Sequence, residues 1–171
     1  GGAQEVVKQL SERMVKLGHE MTVATTKLPE RKEMVINGVK IAEFAISGNS
    51  VRGLEGDIAS YKRFLIDSDF DVIMNYAAQQ WATDICFEVV DQLKSGTVLV
   101  PCGYSGLFNP EYAEYFEKMP EILNKYGASV YLSSSYRDID FARQHKIGNL
   151  QIIPNGASEE EFGEINPAEL K

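Results

Sequence analysis

The chain is short of cysteine, of histidine and of positive charge, and it has no long apolar run. Each shortage removes a class of function. The two cysteines, Cys86 and Cys102, lack metal-ligand spacing and nothing in the pattern depends on a disulfide. The expectation is therefore a pair of half-buried thiols in a reduced, cytoplasmic chain. The two histidines, His19 after a helix stop and His145 at a helix end, fall where imidazoles serve structure or surface rather than catalysis. Lysine and arginine number 17 against 25 acidic residues, a formal net charge of -8. That balance argues against a nucleic-acid partner and against a generally basic membrane-binding face. No apolar stretch approaches the roughly 20 residues that cross a bilayer, none reads as a signal peptide, and neither an internal repeat nor a low-complexity segment is visible.

What is present suits one soluble domain. The 171 residues are 44% hydrophobic and 25% charged, long enough to bury a stable core without staples. The organising stretch is Gly1 to Thr26. Apolar residues at Ala3, Val6, Val7, Leu10, Met14 and Leu17 have the three-and-four spacing of a helix with one buried stripe. Glu5, Lys8, Glu12, Arg13 and Lys16 form its solvated face, and Gly18 supplies a left-handed stop. A strand, Met21 to Thr26, follows. Gly1 and Gly2 let a ligand approach the backbone where the first helical amides point outward, a ready anion site. The bland alternative is a flexible end.

Downstream, strands alternate with helices. A polar stretch, Lys27 to Glu33, leads to Asn37-Gly38 between apolar runs, which signals a hairpin whose second strand continues through Glu43, Phe44 and Ile46. Ser47 to Gly56 reads as a glycine-rich loop with Asn49, Ser50 and Arg52 as polar groups, either a plain surface loop or a contact for sugar or phosphate. Asp57 to Ile66 is a helix. Phe70 to Tyr76 is an apolar strand ending in the polar Asn75 and Tyr76, the pattern of a buried parallel strand opening on a crevice. A helix carrying Trp81, Ile85, Val89 and Leu93 ends at Gly96. Thr97 to Cys102 is the next strand, emptying into Gly103-Tyr104-Ser105-Gly106. Pro110 begins a helix rich in tyrosine, which Pro120 should kink or divide. Ala128 to Ser133 is a strand. Ser134 and Ser135 are candidate caps for a helix from Tyr136 to His145, in whose first turn Arg137 opposes the helix dipole and hints at an anion partner. Leu150 to Ile153 closes the series. The implied fold class is α/β: a Rossmann-like, doubly wound, mostly parallel sheet with helices on both faces.

Taken together, GGAQ with a helix ending LGHEMTV, FDVIMNY in the middle and the tail IIPNGASEEEF resemble the N-terminal, acceptor-side domain of a family-4 glycosyltransferase of GT-B type, over nearly the whole chain. The resemblance implies an acceptor-side domain over 1–153, with Pro154, Asn155 and Gly156 beginning a hinge (154–171) toward a C-terminal donor-binding domain. It implies a first strand ahead of the paired glycines; without it the sheet is expected to show a gap or an unpaired edge.

It further implies transfer of a sugar from a nucleotide diphosphate sugar to a saccharide or lipid-linked acceptor, with retention, without an essential metal and without a cofactor. Gly1, Gly2 and Ala3 would face the diphosphate. Asn75, Tyr76, Gly103, Tyr104, Ser105 and Arg137 are the acceptor-side candidates. Two residues depart from the family: Tyr76 stands where a histidine is usual, and Ser158 where an acid is usual. The family's acidic pair with seven residues between has no counterpart beyond the coincidental spacing of Glu12 and Glu20. The fragment alone is expected to lack turnover. Peripheral contact with the inner membrane face is left open. The rivals are a noncatalytic flavodoxin-like or receiver-like module binding a nucleotide or a partner, and another two-domain enzyme such as a sugar-nucleotide epimerase.

Overall fold

The structure, a computed structural model, describes residues 2–157. Gly1 and residues 158–171, which carry Ser158 and most of the expected hinge, lie outside the described residues. The helix α1 spans Gly2–Lys16 and ends as its glycine signal requires. Gly18 takes a φ of 93°, and the His19 amide donates to the Met14 carbonyl at 3.1 Å, closing the last turn.

Only part of the expected apolar stripe of α1 faces inward: Val6, Val7 and Met14 are half-buried beside the buried Ser11, whereas Leu10 and Leu17 are 44% and 74% exposed. The reason lies in the hairpin of β2 (Val35–Ile36) and β3 (Val39–Phe44), whose turn residues Asn37 and Gly38 both have positive φ. That turn seats on α1. Asn37 donates to Glu12 at 2.9 Å, and a Cβ on Gly38 would lie 2.7 Å from Val15 Cγ1.

The strand β1 (Thr22–Thr26) pairs with β3 in parallel, giving a three-stranded sheet in the order β1-β3-β2. The second strand of the expected hairpin, β3, does not run on through Ile46. It stops at Phe44, and Ser47 to Gly56 is no loop: β4 (Ile46–Asn49) and β5 (Gly53–Gly56) make a second, antiparallel hairpin. Its turn is organised by Asn49, whose Oδ1 accepts from the amides of Val51 and Arg52.

The second half is a four-stranded parallel sheet flanked by helices, a Rossmann-like α/β arrangement. It is built from β6 (Val72–Tyr76), β7 (Gly96–Val100), β8 (Ala128–Tyr131) and β9 (Leu150–Ile152) in that order. The crossovers are α3 (Trp81–Val89), α4 (Ala113–Lys125) and α5 (Arg137–Gln144), and α2 (Ile58–Asp67) precedes β6. Asp57 caps α2 by accepting from the Ser60 amide at 3.0 Å. Gly96 does not stop α3, which ends at Val89 in a short 3-10 turn; the glycine opens β7. Pro120 does not divide α4, which is one helix from Ala113 to Lys125.

Two core clusters result. One joins Leu99, Met119, Leu123 and Ile139, each with no solvent exposure, and Trp81, Tyr61, Ile73 and Ile85 anchor the other. Each such aliphatic side chain contributes roughly 1.5–3 kcal/mol by leaving water. The tyrosines of the segment after Pro110 belong to this packing: Tyr112 and Tyr126 are both buried.

The two sheets do not merge. Among the described residues β1 is paired only with β3 and β6 only with β7, so each keeps one free edge. The two halves nevertheless share a core. Trp81 Nε1 donates to Thr26 Oγ1 at 2.9 Å, and Ala24 and Phe44 pack on the cluster that contains Ile73. On β6 the other face shows Val72 and Met74, 57% and 52% exposed. Among the described residues β1 and β6 are thus edge strands, as β2 and β9 are at the other ends of the two sheets.

Candidate functional site

Parallel strands all end on the same edge of a sheet, so the loops after β6, β7 and β8 must share it. There they form a crevice of about 420 Å³ lined by Gly2, Ala3 and Val6 of α1 with Tyr76, Cys102, Gly103, Ser133, Tyr136, Asp138 and Asn155. The loops that shape it are held in costly backbone conformations. Ala77 and Gln79 after β6, and Cys102 and Tyr104 after β7, all have positive φ. Each such non-glycine residue costs on the order of 1–3 kcal/mol, which the surroundings must offset. The offsets are visible. Ala77 and Ala78 donate to the carbonyls of Val100 and Pro101, prolonging the ladder between β6 and β7 past its last strand residue.

Gly103 is the floor of the crevice and has to be glycine on two counts. Its φ is 93°, and a Cβ would lie 2.7 Å from Cε1 of Tyr136, whose ring rests on it. The Gly103 amide donates to Asp138 Oδ2 at 2.8 Å, and the other carboxylate oxygen accepts from the Ile139 amide at 2.9 Å. Asp138, in the first turn of α5, is buried, and these two amides engage both of its side-chain oxygens.

On the opposite wall Tyr76 meets Cys102 and Asn155. Burial, with the nearby Cys102 second, pushes the Tyr76 phenol up to about 12. Burial also raises the Cys102 thiol, so at neutral pH both are protonated hydrogen-bond donors and neither is a base or a thiolate nucleophile. The start of α1 completes the site: Gly2, Ala3 and Val6 line the same space, at the end of the helix where the dipole is positive.

Of the residues singled out in the sequence, the structure brings Gly2, Ala3, Tyr76, Gly103 and Asn155 to one crevice. Gly1 lies outside the described residues. Pro154, Asn155 and Gly156 are exposed and in no regular element, and Asn155 reaches the crevice beside Tyr76. Four acceptor-side candidates, Asn75, Tyr104, Ser105 and Arg137, do not line it. Asn75 alternates with Tyr76 along β6 and so points into the core, where it accepts from the Tyr126 hydroxyl at 2.7 Å. Tyr104 is 1% exposed, its ring edge-on to Phe116 and Phe141.

Ser105 does not line the crevice; its hydroxyl donates to Gln79 Oε1. Arg137 is the first residue of α5, but Ser134 and Ser135 do not cap that helix and the guanidinium has a local partner: it lies over the Tyr136 ring and donates to its hydroxyl at 2.9 Å. His19 and His145 are both exposed, as their helix-end positions imply. The sequence reading missed Asp138, Tyr136, Cys102 and Gln79. An acid three residues after a serine run was a first-turn signal for Asp138; nothing local marked the others.

No protein-family model matches this chain, and no curated protein matches it significantly.

Proposed function

We propose that this chain is the acceptor-side half of a GT-B type glycosyltransferase, working on a nucleotide diphosphate sugar and a saccharide or lipid-linked acceptor. One observation carries the reading. The first turn of α1 and the carboxyl ends of β6, β7 and β8 open on a single crevice, where an anionic leaving group and a hydroxyl-bearing acceptor can meet. In such a transfer the bond from the sugar's anomeric carbon to the diphosphate breaks, a new one forms from that carbon to the acceptor oxygen, and the acceptor's hydroxyl proton passes to the departing diphosphate oxygen. Negative charge grows on the diphosphate. The amides behind Gly2 and Ala3 stabilise that charge without reorganising, the electrostatic contribution that weighs most in such reactions.

Tyr76 is a donor here rather than a base. With its phenol near 12 it keeps its proton at neutral pH and can orient a sugar hydroxyl, but it does not remove the acceptor's proton. The resemblance assigns most donor contacts to a second domain, so binding without turnover is the expectation for this chain alone.

The test is a screen of sugar nucleotides on the full-length protein, following diphosphate release with and without saccharide acceptors. Acceptor-dependent release from one donor supports the reading. Nucleotide binding with no release across the panel favours a noncatalytic module.

A further inference from the structure

The loop that carries the crevice floor has two holds. At its near end Gly103 is held by Asp138; at its far end Gly106 and Ser105 are held by Gln79, from the loop after β6. The Gly106 amide donates to Gln79 Oε1 at 3.2 Å and the Ser105 hydroxyl donates to the same oxygen at 3.3 Å. Because the Gly106 N–H can only donate, the Gln79 side-chain atom that holds it has to be the oxygen. There is no slack at this contact: a Cβ on Gly106 would lie 2.3 Å from Gln79 Nε2 and 2.9 Å from the Tyr112 ring.

Gln79 is itself fixed in a left-handed conformation, φ 62°, by two further neighbours. Its amide donates to the Tyr115 hydroxyl at 3.1 Å, and its carbonyl accepts from Asn49 Nδ2 at 3.4 Å. Tyr115 passes the constraint on to the buried Asp84, donating at 2.8 Å, and Asp84 also accepts the amide and hydroxyl of Ser50. The backbone of Gln79 is thus anchored to the β4–β5 hairpin and to α4, while its side-chain oxygen reaches the loop after β7.

We infer that Gln79 is a positioning residue for the crevice: through one side-chain oxygen it holds the far end of the loop whose near end, Gly103, forms the floor. This rests on the reading of the crevice as a ligand site, and the experiment separates the two. Two variants with straight side chains of similar size carry the same backbone strain. Gln79→Glu keeps an oxygen at the contact, and Gln79→Met has none. Amide hydrogen exchange is read by NMR on both, and Gln79→Met is titrated with uridine diphosphate beside the wild type.

In Gln79→Met the Gly106 amide should exchange about tenfold faster, the scale of one lost hydrogen bond, while the β6–β9 ladder keeps its protection and uridine diphosphate binds severalfold more weakly. Gln79→Glu should leave Gly106 protected. Unchanged exchange at Gly106 in Gln79→Met, or equal loss in both variants, overturns the inference, because the oxygen would then not be the hold. If the wild type itself fails to bind uridine diphosphate, the ligand-site reading falls and the exchange comparison alone decides the role of Gln79.

Discussion

The two halves of the molecule bury themselves to very different degrees. Around β7, β8, α4 and α5 the core residues Leu99, Met119, Leu123 and Ile139 have no exposure at all, and the loops at the sheet's carboxyl edge are clamped by buried polar groups. Around α1 and β2 several apolar residues are open: Leu17, Val35 and Leu10 are 74%, 59% and 44% exposed, and β1 keeps a free edge. The difference teaches where rigidity is needed. A crevice whose neighbouring loops hold four strained backbone positions requires a half that does not yield, whereas α1 contributes only its N-terminal end.

The sharpest way to break the comparison is a pair of truncations. Leu123→Ala should cost about 2–5 kcal/mol through lost burial and the cavity left behind. Leu17→Ala should stay within about 0.5 kcal/mol, as exposed changes do. Urea unfolding of both variants checks this, and equal losses would erase the contrast.

Next in size is the clamp. Asp138→Ala leaves the buried Gly103 amide without an acceptor, a loss of about 1–3 kcal/mol, and faster hydrogen exchange at Gly103 should accompany it.

A third change should narrow the contrast. Five alternating valine and isoleucine residues joined ahead of Gly1 offer a strand to the free edges of β1 and β6. If it adds there, it should raise stability by at least about 1 kcal/mol, the scale of one buried aliphatic side chain. Exchange should slow at both Thr22–Thr26 and Val72–Tyr76; protection at neither strand would show that the edges do not accept one.

The smallest effect is a slope with pH. Burial is the largest influence on Asp84 and lifts its carboxyl above the ordinary range, while hydrogen bonds from Ser50 and Tyr115 pull it part of the way back. A raised value means that the folded protein holds this proton more tightly than the unfolded chain does. The stability it contributes is therefore full below the ordinary aspartate value and is lost as pH climbs through the folded one. The stability difference between wild type and Asp84→Asn should shift toward the wild type as pH falls from neutral to mildly acidic, read from urea midpoints.

Much of this fold was legible because its signals are local. Asn37-Gly38 announced a type I′ turn, Gly18 a helix stop, and alternating strands and helices a parallel sheet. What failed were statements about which side faces what. The stripe through Leu10 and Leu17 was correct as periodicity, but Ser11 faces inward because the β2–β3 turn happens to dock there. Ser47 to Gly56 read as a loop because its glycines masked a hairpin pinned by Asn49.

The site shows the same division. Tyr76 and Gly103 stood out because strand ends are local features. Asn75 went the other way through the two-residue alternation of β6, and Gln79 and Asp138 act through partners 27 and 35 residues distant in sequence, which no local pattern reports.

The most direct test of the central claim is an NMR titration of this chain with uridine diphosphate, following backbone amides. The account predicts saturable shifts gathered at Ala3 and Val6 of α1, at Tyr76 and at Gly103. Shifts confined to the Thr26 and Gly56 region, or none at millimolar nucleotide, would contradict it.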